Sequence, residues 1–177
     1  MNEGTTVRRR FIGWTGHLTI PNEPAVTEAV RNVLEALTTR SNIARMDRAS
    51  GWIGIGSAAI GADLIVAEAC IQRGMPVRIV LPCSVDGMLA VTPAEHKSAV
   101  VRICAASDIA PSILHDNENH VDYAAVAREI ASMADVLIAV WDGSPARGPG
   151  GTADVVKLSK ERGTRIIKID PTTGDRD

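Results

Sequence analysis

Aromatic side chains make up only 3% of this sequence, so its core must be built mainly from Val, Ile, Leu and Ala. Cysteine is scarce as well. Cys70, Cys83 and Cys104 are odd in number and form no CxxC pair, which argues against a disulfide framework and against a zinc site. Cys70 and Cys104 fall on predicted helices among apolar neighbours and read as small core residues. Cys83, in a Pro-Cys-Ser loop, reads as the more exposed of the three. No run approaches the roughly 18 apolar residues of a membrane span, and no apolar signal core opens the sequence. The expectation is a cytoplasmic protein with no membrane partner. Positive charge is not in excess either: the net charge is -2 and the pI about 6.1. A dedicated nucleic-acid binder needs a concentrated basic surface, so that class is disfavoured. The short Arg8–Arg10 run leads straight into a strand and reads as its solvated entry.

What is present is alternation. At 177 residues, with 45% hydrophobic and 23% charged residues, the chain is expected to form one domain, ordered over about 7–170. Apolar runs at 8–14, 51–56, 77–81, 108–114, 136–141 and 165–169 read as strands. Between them lie helical patterns starting near Asn22, Asp63, Thr92, Tyr123 and Thr152. Thr92-Pro93-Ala94-Glu95 has the form of a capping box with proline at the first helical position. Residues 38–50 and 82–91 read as connections, and the tail from Pro171 as loose. Tyr123, Val126, Ile130 and Met133 share one helical face. Such alternation predicts an α/β fold: a Rossmann-like three-layer sandwich with a mainly parallel sheet and a ligand at the carboxyl ends of the strands.

Three strand ends run into glycine-rich turns: Gly13 to His17, Gly56 to Asp63, and Asp142 to Thr152. Glycine permits tight turns and a close approach of backbone to ligand. Helix N-termini add unpaired N–H groups and a positive dipole end. An anion, most simply a phosphate, is therefore expected at Gly150-Gly151-Thr152, with Ser57 to Gly61 nearby. The candidate binding residues are Gly13, Gly16, His17, Gly56, Ser57, Gly61, Asp63, Gly143, Arg147, Gly150, Gly151 and Thr152. Several have a second reading. His17 either contacts the ligand or caps the next segment. Asp63 either binds a sugar hydroxyl or steadies its own helix N-terminus. Asp142 is a polar contact or a turn former, and Arg147 a phosphate clamp or a solvated side chain. His115, Asp116, Glu118 and His120 show no ligand spacing of a known metal site and read as solvated. Neither a metal nor a cofactor is expected.

The residues ADVLIAVWDG and GGTAD resemble the SLOG superfamily of Rossmann-like nucleotide-binding proteins, which groups the Lonely Guy phosphoribohydrolases and the Smf/DprA domains. The chain is more closely similar to a bacterial branch marked by GHR, GAD and GGTAE. Its counterparts are Gly16-His17-Leu18, Gly61-Ala62-Asp63 and Gly151-Thr152-Ala153-Asp154. The similarity runs from about Phe11 to Ile169. The same stretch also resembles the nucleoside deoxyribosyltransferases. The resemblance implies a nucleotide-derived ligand in these loops and a self-associated protein. Departures are visible: Leu18 stands for the arginine of GHR, Pro149 for one glycine of the Lonely Guy PGGxGTxxE motif, and Val155 for its glutamate. Asp154 lies one place earlier, about 100° around the helix.

These observations point to binding of a nucleotide or sugar phosphate as a sensor or regulatory module. The alternative is an enzyme acting on the N-glycosidic bond of a nucleoside monophosphate, with Asp154 or Asp142 as the catalytic carboxylate.

Overall fold

The computed structural model describes residues 9–42, 51–107, 109–113 and 121–177. Strands and helices follow in the order β1 (Arg10–Gly16), α1 (Glu23–Asn42), β2 (Trp52–Gly56), α2 (Ala62–Gln72), β3 (Val77–Leu81), α3 (Val85–Val91), α4 (Ala94–Ala105), β4 (Ile109–Ile113), α5 (Tyr123–Met133), β5 (Val136–Val140), α6 (Thr152–Glu161) and β6 (Arg165–Ile169). The six strands form one sheet in the order β4-β3-β2-β1-β5-β6, and every neighbouring pair is parallel. This is the parallel three-layer α/β architecture the sequence predicts.

Both faces of the sheet are covered, which is why β5 is apolar at every position. Successive side chains of a strand point to opposite faces. Val136, Ile138 and Val140 join one core with Val30 and Leu34 of α1, Val66 and Cys70 of α2, Met88 of α3 and Ile103 of α4. Leu137 and Ala139 join the other, with Val126 and Ile130 of α5 and Val155 and Val156 of α6.

The architecture fixes where the chain can bind something. β1 lies between β2 and β5. The chain leaving β1 moves towards β2, whereas the chain leaving β5 moves towards β6 on the opposite side. Their connections therefore diverge, and a crevice opens at the carboxyl ends of β1 and β5, where Gly16 pairs with Val140.

Several local expectations are corrected. Residues 82–91 contain α3, capped by the Ser84 hydroxyl, which accepts the Gly87 amide at 3.1 Å. Thr92 closes this helix by donating its hydroxyl to Met88 O at 2.7 Å, so it does not cap α4, which starts after Pro93 without a side-chain cap. Helix α1 continues past Thr38 to Asn42. Cys83 is 1% exposed, a core residue rather than an exposed one. Tyr123 leaves the inward face of α5 and is exposed. The tail is not loose: Asp170 Oδ1 accepts the Thr172 and Thr173 amides, and the Asp177 amide donates to Lys168 O at 3.1 Å. It folds back antiparallel against β6.

Candidate functional site

Two side chains meet at the mouth of the crevice. His17 follows Gly16 at the end of β1, and its amide donates to Val140 O of β5 at 3.1 Å. Asp142 stands two residues beyond that carbonyl. His17 Nε2 lies 2.9 Å from Asp142 Oδ1, with the side chains 24% and 44% exposed. Asp142 also forms the turn: its Oδ1 accepts the Ser144 amide at 2.8 Å. That bond is the main reason its carboxyl is pushed down to about 2, helped by the Ser144 hydroxyl and then by His17. Asp142 is thus a carboxylate at any physiological pH. The indole N–H of Trp141 donates to Ser144 O at 2.8 Å and holds the turn from the other side.

Helix α2 begins against the same strand end. The Ala62 amide donates to His17 O at 3.0 Å. Gly16 has no room for a side chain: a Cβ there would run into Ala62 Cβ and sit 2.7 Å from Val140 O. Gly61 has φ +78°, and a Cβ would meet the carbonyls of His17 and Leu18. These glycines therefore join protein to protein at the floor of the crevice. Gly13 and Gly56 do the same deeper in the sheet, facing Ala134 and the Trp14 indole. Ser57, 7% exposed, uses its carbonyl to accept the Trp14 indole N–H at 3.2 Å.

Asp63 is the second residue of α2 and only 9% exposed. Its Oδ2 accepts the Ala59 amide at 3.3 Å. Burial raises its pKa to about 7, against the lowering effect of that one bond. A carboxyl that changes charge near neutrality is unusual, and such groups concentrate at functional sites.

The third element is the loop from Asp142 to Gly151. Gly143 takes φ +97° in open space, while Gly150 takes φ +78° with the Tyr123 carbonyl where a Cβ would be. Asp154 Oδ2 accepts the Gly150 amide at 2.9 Å and ties the loop to the first turn of α6. The Thr152 and Ala153 amides, the first two of α6, have no partner among the described residues. Arg147 is exposed and makes no ion pair or hydrogen bond with the described residues.

Chemically, this edge offers two free amides and a guanidinium for an anion, and a fixed carboxylate–imidazole pair for hydroxyl or ring N–H groups. Asp154 is engaged within its own loop, and Val155 is packed in the core beneath α6. Sequence reasoning did not single out Tyr123 or Ser144 as site residues. His115, Asp116, Glu118 and His120 lie outside the described residues. Among the described residues no cluster of three or more His, Cys, Asp or Glu is placed to hold a metal, and no helix is long and apolar enough to cross a membrane. A cavity of about 250 Å³ lies away from this edge, between α1, α2 and α4, lined by Arg31, Leu64, Glu68, Gln72 and Arg102 among others. It holds none of the candidate binding residues.

No family model matches the chain, and no curated protein matches it in sequence. Solved structures do match. DNA processing protein A of Streptococcus pneumoniae superposes with a TM-score of 0.63 at 15% identity, over 92% of this chain and 51% of that one. The chain thus spans about half the length of the pneumococcal protein. DNA processing protein A of Helicobacter pylori, described for its single-stranded DNA binding mode, gives a TM-score of 0.59 at 14% identity over 95% and 68% of the two chains. The molybdenum cofactor binding protein of Rippkaea orientalis gives 0.55 at 17% identity over 93% and 78%. At these identities the likeness is one of fold: the chain has the Rossmann-like fold these proteins share.

Proposed function

We propose that this chain binds a nucleotide or nucleotide-derived ligand in the crevice between the ends of β1 and β5, as a sensor or regulatory module of the SLOG type. The observation that carries the reading is the placement of His17 and Asp142 together at the strand-order switch, with Asp142 on the loop that leads to the free Thr152 and Ala153 amides. A phosphate sits on those amides, drawn by the α6 dipole, with Arg147 as its counter-charge. The fixed Asp142 carboxylate accepts from ribose hydroxyls. The single-stranded-DNA-binding and molybdenum-cofactor-binding proteins of the same fold supply context for this class of ligand. Resemblance to the branch with GHR, GAD and GGTAE motifs adds the expectation of self-association.

A catalytic reading is weaker. Asp154 accepts from Gly150, and a core valine replaces the Lonely Guy glutamate, which leaves Asp142 as the carboxylate facing the crevice. The two readings separate when nucleoside monophosphates are incubated with the protein and free base is followed by chromatography, alongside thermal shifts. Shifts without base release support binding alone. Base release that Asp142→Asn abolishes would establish the enzyme instead. A single-stranded oligonucleotide in the same panel tests the nucleic-acid alternative, which the charge of -2 disfavours.

A further inference from the structure

We propose that His17 reads the sugar of the ligand: its Nδ1 accepts a hydrogen bond from a ribose hydroxyl, and Asp142 orients the ring for that contact. This rests on the binding reading above and specifies its substrate class, a nucleotide whose sugar keeps its 2′- and 3′-hydroxyls.

The backbone of His17 is fixed from two sides. Its amide donates to Val140 O at 3.1 Å, and its carbonyl accepts the Ala62 amide at 3.0 Å. The ring is fixed through Nε2 alone. That nitrogen lies 2.9 Å from Asp142 Oδ1 and 3.3 Å from the Asp142 amide nitrogen. The contact with the carboxylate is the shorter one. It is also charge-assisted, since Asp142 is ionised, and such bonds are roughly twice as strong as neutral ones. It therefore decides the tautomer: Nε2 carries the hydrogen, and in the neutral ring Nδ1 keeps the lone pair. Asp142 is itself held still. The same Oδ1 accepts the Ser144 amide at 2.8 Å, and the Trp141 indole N–H holds Ser144 O.

Nδ1 has no partner among the described residues. Nor is it enclosed: among those residues only Arg78 Nε and Ser159 Oγ are side-chain polar atoms both enclosed and unpaired. A fixed acceptor thus stands open at the mouth of the crevice. A lone pair repels an anionic oxygen and takes a hydroxyl or N–H donor. The phosphate belongs instead on the free Thr152 and Ala153 amides, at the far end of the loop that Asp142 begins. Asp142, an acceptor only when ionised, makes the same demand beside His17. Two adjacent acceptors match two adjacent donors, and the vicinal hydroxyls of ribose supply them.

The test is calorimetric titration of the full chain with a ribonucleoside 5′-monophosphate and with its 2′,3′-dideoxy counterpart, for wild type and His17→Gln. Glutamine can still donate from its side-chain nitrogen to Asp142 but has nothing in place of Nδ1. Wild type is expected to bind the ribonucleotide about tenfold or more tightly than the dideoxy compound. His17→Gln is expected to lose most of that preference while keeping its affinity for the dideoxy compound and the melting temperature of wild type. Nitrogen NMR of the ring gives a readout that needs no variant. The free protein is expected to show the hydrogen on Nε2, with the Nδ1 resonance moved by the ribonucleotide and not by the dideoxy compound. A preference that survives His17→Gln, equal weakening of both compounds, equal binding of both by wild type, or a neutral ring with its hydrogen on Nδ1 would overturn the assignment while leaving the binding site standing. If wild type binds neither compound, the binding reading falls and this assignment with it.

Discussion

His17 Nε2 lies 2.9 Å from Asp142 Oδ1 and 3.3 Å from the Asp142 amide nitrogen. One ring nitrogen cannot serve both in the same protonation state. When unprotonated it accepts the amide, and when protonated it donates to the carboxylate. Either way the imidazole joins the end of β1 to the end of β5. Asp142→Asn and His17→Ala are each expected to weaken nucleotide binding about tenfold, and the double variant little more, because the two residues act as one unit. Additive losses in a double-mutant cycle would show that they act separately. With its carboxyl pushed down to about 2, Asp142 stays ionised throughout pH 4 to 6, so affinity is expected to show no titration of this carboxylate in that range.

Asp63 gives a different pH signature. Its pKa is about 7 in the folded chain against an ordinary 3.8. Between these values the folded state holds a proton that the unfolded chain has released. Its stabilising effect is therefore full below about pH 4 and is lost as pH rises towards 7. Asp63→Asn, which can still accept the Ala59 amide, is expected to be more stable than wild type at pH 8, by roughly 2–4 kcal/mol, and equal to it near pH 4. Urea denaturation at the two pH values measures this. A difference that does not change with pH would refute the linkage.

Glycine replacements should sort by what surrounds each position. Gly61→Ala and Gly150→Ala combine positive φ with a collision against backbone carbonyls. Each is expected to cost at least about 2 kcal/mol, more than the left-handed conformation alone. Gly143→Ala has the positive φ but open space, and about 1 kcal/mol is expected. Gly148→Ala meets neither obstacle and should be neutral or slightly stabilising, through the unfolded chain. Thermal denaturation of the four variants gives the ranking directly, and equal losses would contradict it.

Asp154 separates structure from catalysis. Its Oδ2 accepts the Gly150 amide, so Asp154→Ala should loosen the loop, costing about 1 kcal/mol and weakening ligand binding. Asparagine offers the same acceptor, so Asp154→Asn should restore both stability and affinity. A variant that binds normally but loses turnover would instead identify a working carboxylate.

Strand periodicity made the layers legible in the sequence, because β2 and β5 are apolar on both faces and only a covered sheet accommodates that. Gly56 to Asp63 and Asp142 to Thr152 do follow strand ends, whereas Gly13 and Gly16 lie within β1. Their physical meaning was only half visible. Gly16, Gly61 and Gly150 are dictated by packing against α2, by the His17 and Leu18 carbonyls and by Tyr123, contacts between segments far apart in the chain. The same holds for Asp142: a turn former was foreseeable from Asp-Gly-Ser, but its pairing with His17 depends on β1 lying next to β5, which no local pattern encodes. Helix α3 was missed because seven residues containing a glycine carry little periodicity. The tail was missed because its hydrogen bonds reach back to Lys168 and Asp170.

The most direct measurement is a calorimetric titration with a nucleoside 5′-monophosphate and its parent nucleoside, in wild type and Arg147→Ala. The expected result is a gap of about tenfold or more in favour of the monophosphate, reduced by high salt and by Arg147→Ala, since the proposed function seats the phosphate on the α6 amides with Arg147 as its counter-charge. Equal affinity for the two compounds, or no binding of either, would contradict it.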